Sequence, residues 1–208
     1  MNNIWILVLF ISINFCSSED FEGTIEYENT FKVLSKEDNE TSLKNDLGTK
    51  MTFVVKNGFT KETTDGAYGN IHIFNPKENR IYFTDKFSAD TLYYHNGTKN
   101  EPYKNATFEV VKNAGNILGL ACDKLIYRTE NYEIIYFYAK DLKYDPKYVK
   151  NFGYLNKNKK IQLMKSIILK QIMTSKSFIV TVEAVKIKPG KISDKQFVNP
   201  KHKVLKEQ

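Results

Sequence analysis

Tyr132-Glu133-Ile134-Ile135-Tyr136-Phe137-Tyr138 is apolar on both faces apart from Glu133. β-branched and aromatic residues at this density favour a strand, and a strand apolar on both sides must be covered on both sides. Just before it, Cys122 to Thr129 reads as a second strand, and Glu130-Asn131 between them offers a turn. The two runs form the clearest antiparallel hairpin in the chain.

Working outward, alternation with period two recurs between Gly, Asn, Asp and Pro punctuation, the mark of half-buried antiparallel strands. Thr107 to Lys112 precedes the Gly-bearing Ala114 to Gly119, and Thr91 to Tyr94 precedes Asn96-Gly97. Ile71 to Phe74 and Arg80 to Thr84 flank Asn75-Pro76-Lys77-Glu78-Asn79, whose proline and asparagines favour chain reversal. Lys50 to Asn57 places Phe53 and Val55 on one face before a turn at Gly58, and Thr24 to Glu28 turns Ile25 and Tyr27 inward. Ser177 to Lys188 puts Phe178, Val180, Val182 and Ala184 on one face and stops at Pro189-Gly190. Between Leu142 and Lys165 the pattern loosens into one or two short helices or an irregular crossing. Strand character returns at Ile167 to Thr174.

About ten strands with few long helices predict a mainly β domain, a large curved antiparallel sheet or half-open β-barrel with one or two short helices covering the concave face. A single such domain spans 19–200. The charged tail at 201–208 lacks pattern and is expected to be flexible.

Met1 to Ser18 reads as an export signal: the apolar run Ile4 to Ile13 is too short to span a bilayer, and small residues follow at Ser17 and Ser18. Lipid anchoring at Cys16 is the weaker alternative, because Phe15 is not the small residue such processing wants. The expected destination is the periplasm or outer envelope of a bacterium. Cleavage leaves Cys122 as the sole cysteine, so the fold gains no disulfide within the chain. Its plainest role is a small buried side chain.

The net charge of +7 is dispersed, and its densest cluster, Lys157, Lys159 and Lys160, reads as solvated surface. A polyanion, or peripheral contact with an anionic membrane, suits that charge. No motif for nucleic acid accompanies it.

Catalytic constellations are lacking in the sequence. His72, His95 and His202 have no metal-site spacing, no serine is framed as Gly-x-Ser-x-Gly, and Asp123 with Asp141 is an ordinary pair of acids near strand ends. No metal or cofactor is expected, and an exported hydrolase ranks third among the readings. The 13 Tyr and 14 Phe weigh more, because they fill a wide β core or line an apolar cavity. Alternation nominates Ile25, Tyr27, Phe53, Val55, Ile73, Phe83, Ile134, Tyr136, Val180 and Val182 as the cavity wall, subject to one-residue slips.

Phe21-Glu22-Gly23-Thr24-Ile25-Glu26-Tyr27 is similar to the first-strand signature of the LolA-like lipoprotein-carrier superfamily, whose GLPGLI branch it resembles most. Ile117-Leu118-Gly119-Leu120-Ala121-Cys122-Asp123-Lys124, Tyr136 to Leu142, and Phe197-Val198-Asn199-Pro200 resemble its later motifs. The GLPGLI hexapeptide itself is absent, Asn151 to Leu155 reading Asn-Phe-Gly-Tyr-Leu. The resemblance implies a half-open barrel whose apolar concavity accepts acyl chains. The leading expectation is therefore a non-catalytic envelope protein that binds a lipid or other apolar molecule. An assembly role, contacting an envelope protein partner through strand edges or basic surface, is the rival.

Overall fold

The computed structural model describes residues 19–36, 39–98, 103 and 105–208. The export signal and Cys16 lie outside the described residues. Twelve strands form one open sheet: β1 (Gly23–Val33), β2 (Lys50–Lys56), β3 (Phe59–Thr64), β4 (Ile71–Asn75), β5 (Arg80–Thr84), β6 (Thr91–Asn96), β7 (Thr107–Ile117), β8 (Leu120–Arg128), β9 (Glu133–Lys143), β10 (Ser166–Thr174), β11 (Phe178–Pro189) and β12 (Val204–Glu207). The order is β12-β6-β5-β4-β3-β2-β1-β11-β10-β9-β8-β7. Two meanders, β1 to β6 and β7 to β11, thus meet where β1 pairs with β11, and among the described residues only β12 runs parallel to its neighbour.

Tight turns fix the registers. Asn57-Gly58 and Leu118-Gly119 each place two successive residues at positive φ, the conformation that matches strand twist in two-residue hairpins. The Asn75 side chain accepts from the Lys77 and Glu78 amides in the β4–β5 loop.

Three elements carry no hydrophobic signature. β3 has one buried residue, Thr60, and is held by its ladders to β2 and β4. Helix α1 (Glu40–Leu47) buries nothing and starts where the Asn39 side chain accepts from the Thr41 amide. β12 lies in the tail expected to be flexible; its four residues are exposed and pair through the backbone with β6.

The segment between β9 and β10 forms two 3-10 turns, Pro146–Val149 and Tyr154–Asn156, and helix α2 (Lys157–Met164). It shows how strongly the sheet curves. The Gly153 amide donates to the Gly97 carbonyl, next to β6, at 2.8 Å, while six residues on the Lys159 ammonium lies 4.3 Å from the centre of the Phe108 ring in β7. Strands β6 and β7 stand ten steps apart in the sheet order, which in a flat sheet is ~48 Å. Six residues of extended chain reach ~22 Å. The sheet therefore wraps around this segment, and the main core lies between them: Val149, Phe152, Ile161 and Met164 are buried against Ile25, Phe74, Leu125 and Tyr136.

The outer face has its own cover. After β11 the chain crosses β2 and β3, with Phe197 packed on Phe59 at 5.6 Å and Lys56 bonded to the Ile192 carbonyl and to Asp194.

Candidate functional site

A cavity of about 250 Å³ lies between the concave face and α2. Cross-strand register assembles one wall, since Tyr27 stands opposite Met51 and Phe53 opposite Glu62, with Thr60 one pleat further along β3. Val182 and Gln171, partners between β11 and β10, form the other. Lys157 and Ile161 of α2, with Tyr144, close it from above.

The space exists because β10 parts from β11. The two strands pair only over Lys170–Thr174, while Ser166, Ile167 and Ile168 line the cavity. Register shifts fall at the same level, at Glu26/Tyr27 in β1–β11 and on both sides of Ile168 in β9–β10. Side-chain hydroxyls donate to backbone carbonyls here. The Tyr27 hydroxyl donates to Ile168 O at 2.6 Å. Ser166 Oγ lies 2.5 Å from Ala139 O and 2.8 Å from Leu142 O, buried, with one proton to share between them. Burial raises the Tyr27 hydroxyl far above its ordinary pKa, and the Glu62 charge adds to this.

Two charged side chains face this largely apolar space. The Lys157 ammonium sits 4.3 Å from the Phe74 ring centre and 5.5 Å from that of Phe152. Burial lowers its pKa, with Glu62 acting against the shift. Glu62 Oε2 is 3.9 Å from His72 Nδ1. Burial holds the His72 pKa below its ordinary value; Glu62 opposes this, and the charges of Lys157 and His95 reinforce it.

Of the residues nominated from alternation, Tyr27, Phe53 and Val182 line the cavity. Ile25, Val55, Ile134 and Tyr136 are packed in the main core, Tyr136 also accepting from Lys160 at 3.1 Å. Val180 is buried beyond that cluster. Phe83 is on the concave face, stacked between Tyr93 and His95. Ile73 corrects a face assignment: Phe74 meets Phe152 at 5.1 Å on the concave side, so its neighbour Ile73 points outward. Both are fully buried because both faces are covered there.

The lysine cluster read as solvated surface is so at the exposed Lys159, whereas Lys157 and Lys160 are half-buried, and their ammonium groups lie over aromatic rings. Lys159 lies over Phe108, and Lys160 over Tyr127 and Tyr136. Sequence reasoning missed Lys157 and Glu62 as cavity groups; the one available signal was the density of that cluster within an aromatic-rich chain. Asp123, weighed with Asp141 as a pair, is instead buried against Lys112 and the Asn113 amide, while Asp141 is exposed. Cys122 is a buried free thiol whose pKa burial raises.

No family model matches the chain, and no curated protein matches it. Two solved structures of PNGF-II, in C2 and P21 space groups, are similar to it, with TM-scores of 0.54 and 0.51 and identities of 16% and 15% over 89% and 90% of this chain. The chain spans 31% of each PNGF-II chain. At that identity the likeness is one of fold. An outer membrane lipoprotein-sorting protein domain from Vibrio parahaemolyticus aligns over 84% of this chain and 87% of its own, at 10% identity and a TM-score of 0.20, and carries no argument. What the carrier resemblance and the structure share is coarse: a curved antiparallel sheet under short helices.

Proposed function

We propose that the chain is an exported envelope protein that holds an apolar or amphipathic molecule in this cavity without transforming it. The observation that carries the reading is the parting of β10 from β11 beneath α2, which leaves a largely apolar space in which the Tyr27 hydroxyl already occupies the Ile168 carbonyl. A preformed apolar cavity binds by removing ligand surface from water, at ~25 cal/mol per Å². Export is the expectation from Met1 to Ser18.

The test is to fill the cavity. Ile161→Trp and Val182→Trp, each confirmed as folded by circular dichroism, lose binding of a fluorescent fatty-acid probe that the mature wild-type protein binds. Undiminished binding by both variants contradicts the reading.

An assembly role is supported by one feature, the eleven-residue edge strand β7, which ends the sheet order and is largely exposed. Such an edge can accept a strand from a partner.

A further inference from the structure

An ammonium offers three donors and accepts nothing, and a charge partly withdrawn from water, as that of the half-buried Lys157 is, is ordinarily paired or hydrogen-bonded. Lys157 enters the cavity from the first position of α2 with the faces of Phe74 and Phe152 beneath it. Aromatic faces attract its charge but leave its N–H groups without oxygen acceptors. Among the described residues no carboxylate lies within ion-pair distance of it; Glu62, the acid that lines the same cavity, acts on it only at longer range.

The helix that presents Lys157 points the same way. Its first turn holds Lys157, Lys159 and Lys160 and no acidic residue, and the preceding Asn156 gives no side-chain cap. Positive charge at the positive end of a helix works against that helix. An anion at this place relieves both defects.

Resting on the cavity reading above, we infer that the occupant is an amphiphile with an anionic head, a carboxylate on an apolar chain, its head against the Lys157 ammonium and its chain along Tyr27, Phe53, Ile161 and Val182. A carboxylate accepts from two of the three N–H groups and cancels the charge, which a neutral ester or alcohol does not. Glu62 opposes the head and limits the affinity. Removing its charge strengthens binding.

The test is calorimetric titration of the delipidated mature protein with decanoate and with methyl decanoate. The wild type binds the acid about tenfold or more tightly than the ester, the range of one charge-assisted hydrogen bond or two. Lys157→Met removes that preference and keeps ester binding, which also shows that the variant is folded. Glu62→Gln widens the preference. Equal binding of acid and ester by the wild type overturns the headgroup inference and leaves the cavity reading standing. Binding of neither overturns both. If Lys157→Met loses the ester as well, Glu62→Gln decides: tighter acid with unchanged ester upholds the inference, and no change overturns it.

Discussion

The Tyr27 hydroxyl donates to the Ile168 carbonyl at 2.6 Å, joining β1 to β10 although β11 stands between them in the sheet. The bond is possible because β10 leaves the β11 ladder at this level, which gives the Ile168 carbonyl a side-chain donor where β11 is not paired. One side chain thus serves as cavity wall and as substitute ladder partner.

Tyr27→Phe keeps the wall and removes the donor. The Ile168 carbonyl is then left unsatisfied, at a cost of about 1–3 kcal/mol. Urea unfolding should show a lower midpoint with an unchanged slope. A midpoint equal to that of the wild type means that the bond contributes nothing.

Gly58→Ala tests how the cover is seated. Gly58 has φ +81°, an added Cβ would lie 2.2 Å from Tyr148 Cγ, and the Gly58 carbonyl accepts from the Tyr144 hydroxyl at 2.7 Å. Backbone strain and the displaced ring act together, for a loss of about 2 kcal/mol or more. Thermal unfolding checks it; an unchanged midpoint would show that the covering segment yields freely.

Asp123 makes acid stability measurable. Burial works to raise its pKa, but the Lys112 hydrogen bond, the Asn113 amide and the charges of Lys112 and Lys140 outweigh it and hold the carboxyl below its ordinary value. A carboxylate with a folded pKa below its unfolded value, about 3.9, contributes stability that is complete above about pH 5 and lost as pH falls through the folded value. Asp123→Asn should therefore be less stable than wild type by about 2 kcal/mol at pH 7, with the two converging toward pH 2. A gap that persists in acid would locate the effect elsewhere.

Lys157 carries the opposite sign. Burial first, with Glu62 opposing, leaves the folded ammonium with a lowered pKa, so the unfolded chain holds that proton more tightly. Stability then rises with pH up to the unfolded lysine value of about 10.4. Lys157→Met should raise the urea midpoint of the ligand-free protein at pH 7, and the advantage should shrink toward pH 10. A destabilised variant would mean that the contacts with Phe74 and Phe152 outweigh the burial of the charge.

The sheet was legible wherever one face of a strand is buried and the other wet, as at Ile25 and Tyr27 in β1 or Phe53 and Val55 in β2. It was not legible where pairing alone makes the element. Strand β3 buries Thr60 rather than an apolar residue, α1 depends on the Asn39 cap, and β12 has nothing to bury. Ile73 was assigned to the wrong face because Ile73 and Phe74 are both apolar and both covered, which removes the alternation that fixes orientation. Three of the nominated wall residues line the cavity, since the space depends on bulges and on the parting of β10, neither of which leaves a mark in hydrophobic pattern. Lys157 was hidden by its chemistry: a lysine beside two others reads as surface until Phe74 and Phe152 are placed beneath it.

Native mass spectrometry of the mature protein, purified from its own envelope and followed by denaturing extraction, tests the central claim most directly. The account predicts a co-purifying apolar or amphipathic molecule at near one-to-one stoichiometry, released on unfolding and absent from the Ile161→Trp variant. A bare protein mass that stays unchanged on incubation with lipid would contradict it.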